Sequence, residues 1–226
     1  MSERVKIILD KNADILRLPA IALRGLVVFP GNIIHFEVGR KKSIAAIEWA
    51  MSNNNAVFLT AQQDMDVEDP GFKDLYAYGV VAEVKQVLRV SDELVKVLVE
   101  GKCRAKLLTL DSSGRFLLAS TKAAALRGTK SVDSARVEAL VRSVKEAFEE
   151  YLSLNPRLSK DVVYTIITNE DAALLCDYIP ANLLLKYTDK QALLNEGTVS
   201  GRLEKLLEIL RRGMGLDKGQ SSEARD

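Results

Sequence analysis

The stretch Val80-Val-Ala-Glu-Val-Lys-Gln-Val-Leu-Arg-Val-Ser-Asp-Glu-Leu-Val-Lys-Val-Leu-Val99 decides the fold of the first half of the chain. Val80, Ala82, Val84, Leu88 and Val90 alternate with Glu83, Lys85 and Arg89, and Val95, Val97 and Val99 share one side of a second run. Ser91, Asp92 and Glu93 lie between the runs as a turn. Strand side chains alternate with a period of two, so this pattern predicts a half-buried antiparallel hairpin. Downstream, Gly101 permits a bend or bulge before Arg104 to Leu110. Ser112, Ser113 and Gly114 then make a second turn before Phe116 to Ser120. Successive hairpins with one polar face predict a small, partly closed sheet or barrel.

Upstream, Leu18 to Leu23, Leu26 to Phe29, Ile33 to Val38 and Ala56 to Thr60 are short apolar runs. Pro19, Gly25, Pro30 and Gly31 punctuate them, and proline restricts strands to edges or ends. One helix is predicted over Lys42 to Ser52, with Ile44, Ile47 and Met51 as its apolar stripe and Trp49 off it.

The character changes near residue 125. Arg127 to Asp133 is polar, contains Gly128 and reads as a linker. Ser134 to Leu152 carries Val137, Leu140, Val141, Val144, Phe148, Tyr151 and Leu152 at helical spacing, and Asn155-Pro156 ends it. Ser159 is placed to cap a helix through Asn169, and Asp171 another through Tyr178, stopped by Pro180. Thr188 to Gln191 fits a capping box. Val199, Leu203, Leu206, Leu207 and Leu210 define a last helix, and the Gly-, Ser- and charge-rich tail from Gly213 to Asp226 is expected to be disordered. The expected organisation is a β-rich part over 1–125, a helical bundle over 126–212 and a tail over 213–226.

Composition restricts the function. Lys plus Arg number 32 against 31 Asp plus Glu in 226 residues, whereas a nucleic-acid binder needs a basic excess for its phosphate contacts. Nucleic acid is therefore disfavoured as a partner. No run reaches the length of a membrane span, and Met1 to Asn12 lacks the apolar core of a signal peptide. The expected location is the cytoplasm. Cys103 and Cys176 stand far apart and read as free thiols. His35, the single histidine, lies in a predicted strand and reads as structural or surface-exposed. One histidine and two isolated cysteines make no ordinary zinc site.

A phosphate loop fails at Gly101-Lys102, because Cys103 follows and Lys96 stands where the first glycine belongs. No G-x-G-x-x-G or G-x-S-x-G stretch occurs. The acidic pairs Asp64 with Asp66, Glu68 with Asp69, and Glu149 with Glu150 read as solvated charge. No cofactor is implied. The residues alone lead to a two-part, non-catalytic binding protein with no identified ligand.

Several ordered blocks carry a resemblance. Leu18-Pro-Ala-Ile-Ala-Leu-Arg-Gly-Leu-Val-Val-Phe-Pro30 resembles the opening strand motif of Lon protease N-terminal domains. Val38-Gly-Arg-Lys-Lys-Ser-Ile44 resembles that family's turn into its first helix. Asp74 to Ala82, Val97 to Ala105, Asp189 to Gln191 and Arg202 to Glu204 match further blocks. Two positions depart from the pattern: Ala22 stands where the family usually has proline, and Lys41 where an acidic residue is common. The ATPase module and Ser–Lys protease that follow in the family are missing before Asp226.

The resemblance implies an α+β fold, a PUA-like small β-barrel followed by an α-helical bundle. It implies recognition of unfolded or degron-bearing substrate proteins in protein quality control, for an ATP-dependent protease whose subunits form a hexamer. The isolated chain is then expected as a monomer or weak dimer. Arg40 and Lys42 match family positions in the turn before the first helix and are candidates for substrate binding, with Lys41 extending the charge. Leu26 and Phe29 are candidates to extend that surface, although core packing is the favoured reading for apolar residues there. A freestanding adaptor or regulator on the same fold is the competing reading.

Overall fold

The computed structural model describes residues 15–128, 134–154 and 158–223. The chain divides into two compact units, with the boundary between Ala125 and Leu126. The first contains β1 (Leu16–Leu23), β2 (Ile33–Val38), α1 (Lys41–Ser52), β3 (Ala56–Ala61), a short 3-10 turn (Phe72–Asp74), β4 (Tyr78–Arg89), β5 (Val95–Asp111) and β6 (Leu117–Ala123). The strands form one mixed sheet in the order β2-β5-β4-β3-β1-β6, and β6 pairs with β5 as well. β1 and β3 run parallel, and the remaining pairs are antiparallel. The fold is α+β.

The length of β5 explains how one strand serves three neighbours. Residues 95–106 pair with β4, 95–100 also pair with β2, and 105–111 pair with β6. Gly101 sits where the β2 pairing ends. Its N–H donates to Asn32 O and its carbonyl accepts from Gly31 N, both at 2.9 Å. A Cβ on Gly101 would lie 2.2 Å from Phe29 O, so no other residue fits without moving the 29–32 segment. Phe29 itself has no exposed surface.

The β4–β5 hairpin forms where its alternation predicts it, but the phase slips. A register shift between Val84 and Gln86 changes which residues face inward. Val80, Ala82 and Val84 are buried, whereas Leu88 is 58% exposed and Val87 is half-buried in its place. An extra residue on one strand of a pair turns every later side chain over, and period-two counting does not see it. β3 is buried throughout, as suits a strand with neighbours on both sides. Pro19 is tolerated inside β1 because the pairing with β3 begins only at Ala20.

α1 begins at Lys41 and buries Ser43, Ile44, Ala45, Ala46, Ile47 and Ala50. Met51 is 43% exposed, and Ala50 takes the core position expected of it. Trp49 stacks obliquely on Phe116, with ring centroids 5.7 Å apart.

The second unit contains α2 (Ser134–Leu154), α3 (Lys160–Thr168), α4 (Ala172–Asn182), α5 (Tyr187–Asn195) and α6 (Val199–Glu223). Ser159 caps α3 by accepting from Val162 N, and Asp171 caps α4 by accepting from Ala173 N and Leu174 N. α4 continues two residues beyond Pro180, because a proline in the last turn removes a single helical bond. The expected capping box at Thr188 does not form: α5 starts at Tyr187 without a side-chain cap, and the Gln191 amide donates to Asn195 Oδ1 instead. The linker residues 129–133 and the helix stop at 155–156 lie outside the described residues. α6 runs to Glu223, so no element boundary falls at residue 213, and residues 224–226 lie outside the described residues.

Val144, Phe148, Leu175, Ile179, Leu193, Leu203, Leu206 and Leu210 are buried in this unit. Arg202 is buried among them. Its Nη1 donates to Asp177 Oδ1, and its Nη2 donates to Glu196 O at 2.9 Å. Cys176 Sγ donates to Val199 O, and burial pushes its thiol up to about 12.

Candidate functional site

The turn between β2 and α1 adjoins a cavity of about 300 Å³. Its walls come from the end of β1 (Ile21, Ala22, Leu23), the Arg24 to Leu26 turn, the end of β2 (Phe36, Glu37, Val38), and Gly39, Arg40 and Ser43. These segments converge because β1 and β2 both end beside the start of α1. Gly25 turns the chain there at a φ of +64°, and Met65 Sδ would lie 3.0 Å from any Cβ on it.

Arg40 is half-buried and fixed by two carbonyls. Nη1 donates to Ala22 O at 3.2 Å, and Nη2 donates to Val67 O at 3.1 Å. Burial lowers its pKa, Arg24 lowers it further, and Asp69 and Glu68 oppose both effects. Val67 O also accepts from Gln62 Nε2 at 2.9 Å and from Arg24 Nη2 at 3.4 Å. Lys42 Nζ grips both carboxylate oxygens of Asp69, at 3.0 and 3.1 Å. The basic turn and the acidic 64–69 loop thus hold one another. Ala22, where the resembling family usually has proline, lends Arg40 its carbonyl.

The structure places the expected residues unequally. Arg40 and Leu26 line the cavity, Lys42 is engaged by Asp69, and Lys41 is exposed at the first position of α1. Phe29 belongs to the core and presents nothing to a ligand. Arg24, Ser43 and the acidic loop were not among the sequence candidates. Opposite charge runs at 40–42 and 64–69 were the available signal for the loop, and nothing in the sequence marked Ser43.

A second concave surface of about 460 Å³ lies on the helical unit, lined by Leu152, Leu158, Val163, Tyr164 and Ile167 with Lys160. Tyr164 is 70% exposed there. Among the described residues, no group of three or more His, Cys, Asp or Glu is placed to hold a metal ion. No described helix is long and apolar enough to cross a membrane.

Known proteins match both the sequence and the fold. The profile of the ATP-dependent protease La (LON) substrate-binding domain matches residues 17–212. The chain is 38% identical over 199 residues to a Lon protease of Desulforamulus reducens, covering 88% of this chain and 24% of that protein. It is 36% identical over 214 residues to a Lon protease of Heliobacterium modesticaldum, covering 95% of this chain and 26% of the relative. A Lon protease of Escherichia coli is 36% identical over 200 residues, with 88% of this chain and 25% of that protein covered. The chain therefore spans about a quarter of the length of these curated relatives.

The solved N-terminal domain of a Mycobacterium avium complex Lon protease superposes with a TM-score of 0.71 at 20% identity, covering 87% of this chain and 98% of that one. A Lon N-terminal domain protein from Xanthomonas campestris gives 0.59 at 15% identity, with coverages of 85% and 98%. At those identities the two structures speak for the fold alone. The long sequence match decides the assignment: the chain belongs to the Lon substrate-binding domain family.

Proposed function

We propose that this chain captures unfolded or degron-bearing proteins for an ATP-dependent Lon protease in cytoplasmic protein quality control, and breaks no bond itself. The observation that carries this reading is the match of residues 17–212 to a substrate-binding domain. The part of Lon that the chain matches is a non-catalytic domain. Its similarity to Lon proteases favours a protease module over a freestanding adaptor.

In this reading the sheet circuit β5-β4-β3-β1-β6, which returns to β5, is the small PUA-like barrel expected from the sequence. The proposed capture surface is the turn at Arg40, Lys41 and Lys42 with Leu26. Phe29 supports it from beneath. Unfolded chains expose apolar side chains and unpaired backbone that native proteins hide. A shallow site with apolar walls and fixed cations engages such segments weakly. Six copies in a hexameric protease multiply weak contacts through effective concentration, which leaves the isolated chain a weak binder and a monomer or weak dimer.

Amide hydrogen exchange of the full chain tests the location. Saturation with a reduced, alkylated protein should slow exchange at residues 24–26 and 39–43. Protection confined to residues 158–167 would move the site to the helical unit. Absence of protection anywhere would remove the function.

A further inference from the structure

The start of α1 is built as a site for negative charge, and it carries no side-chain cap. Ile44 N is the first amide in α1 to bond within the helix, to Arg40 O at 2.9 Å, so the N–H groups of Lys41, Lys42 and Ser43 precede the helical ladder. Arg40, the N-cap, offers no side-chain cap, and the first turn contains no acidic residue. An uncapped helix start gathers partial positive charge and favours anions.

A second feature is independent of the helix. Ser43 is only 6% exposed, lines the cavity, and its hydroxyl has no hydrogen-bond partner among the described residues. The hydroxyl is not sealed in the core but opens onto the cavity, where a ligand oxygen would give it a partner. Arg24 and Arg40 share the same cavity and repel one another, and an anion would relieve that repulsion beyond what Asp69 and Glu68 already offset. Glu37 stands on the wall as the opposing charge, so the anion belongs at the Ser43 side. Ile21, Leu23, Leu26 and Val38 supply apolar wall beside it.

We propose that this cavity binds a carboxylate carried next to an apolar side chain, held by Ser43, the α1 amides and Arg40, with the apolar group against Leu26 and Val38. This rests on the substrate-binding reading and narrows it. The ligand is a protein carboxylate, either the C-terminus of a substrate chain or an Asp or Glu side chain beside an apolar residue. A single neutral contact at Ser43 with the amides is worth a few-fold in affinity, and the arginine adds a charge-assisted bond of about twice that strength.

The test is an NMR titration of the full 226-residue chain. The probes are N-acetylleucine, its neutral amide, and an N- and C-blocked Asp-Leu dipeptide. Saturable shifts at the amides of Lys41, Lys42 and Ser43 with N-acetylleucine, and at least about tenfold weaker binding of the amide, are expected. Comparable binding of the blocked dipeptide would assign the side-chain source, and its failure would assign the chain end. Ser43→Ala should weaken N-acetylleucine by a few-fold without disturbing the fold, and Arg40→Gln by more.

Equal binding of acid and amide, or affinity unchanged in both variants, overturns the proposal. Retained binding of an unfolded protein in that event would leave the broader function standing. Its loss together with carboxylate binding would remove both.

Discussion

Replacing Asp177 with alanine leaves Arg202 a buried cation without its carboxylate. The Arg202 side chain has no exposed surface, and its other acceptor is a neutral one, Glu196 O at 2.9 Å. Breaking one side of a buried ion pair costs roughly 3–5 kcal/mol, because the surviving charge keeps its desolvation penalty and loses its attraction. The Asp177 side chain is 17% exposed, so water can reach the vacated place and the lower end, about 3 kcal/mol, applies. That is a large share of the roughly 5–15 kcal/mol that keeps a domain folded.

Urea unfolding of the full chain, followed by far-ultraviolet circular dichroism, reads mainly the helical unit. With a slope of about 1–3 kcal/mol per molar, the midpoint should fall by about 1–3 M. Replacing both residues, Asp177→Ala with Arg202→Met, removes the stranded charge and should recover stability to within roughly 1–2 kcal/mol of the parent. A midpoint for Asp177→Ala within about 0.3 M of the parent would refute the reasoning, as would a double variant no better than the single one.

Gly101→Ala should destabilise the sheet unit by about 2 kcal/mol or more, read as a lower thermal midpoint, because its Cβ would meet Phe29 O at 2.2 Å. Gly31→Ala, at a φ of +75° with nothing within 4 Å, should cost only about 1 kcal/mol. Lys42→Glu breaks a bond to the exposed Asp69 and should change stability by less than about 1 kcal/mol, so a loss of substrate binding in that variant would not reflect unfolding. Burial holds the Cys176 thiol at about 12 against an ordinary 9.0, so between those values the folded chain keeps a proton that the unfolded chain has lost. Unfolding free energy should then fall by up to about 1.4 kcal/mol per pH unit above 9.0, a slope that Cys176→Ala removes.

The parts of this fold governed by local pattern were legible in the sequence. The α1 span, the β4–β5 hairpin and the caps at Ser159 and Asp171 follow from spacing and from short-range bonding. What the sequence hid depends on distant partners. Gly101 announces a bend, but its reason is the carbonyl of Phe29, 72 residues earlier. Val87 replaces Leu88 inside because a bulge in the pairing shifts the phase. The spacing of α6 does not mark Arg202 as buried, because its partners Asp177 and Glu196 O are brought to it only by the fold.

The site divides in the same way. Arg40 and Lys42 were visible as a basic turn, but their bonds to Val67 O and Asp69 cross 27 positions each. Phe29 belongs to a strand motif that left both a surface and a core role open, and packing places it in the core. Ser43 is an ordinary helix residue in sequence, and the role proposed for it comes only from its lining a cavity that two arginines share.

The affinity of the full chain for one labelled protein, measured by fluorescence anisotropy on its native form and on its permanently unfolded form, tests the central claim most directly. The account predicts tighter binding of the unfolded form, weakened when Arg40 and Lys42 are reversed to glutamate. Equal affinity for both forms, or none for either, would contradict it.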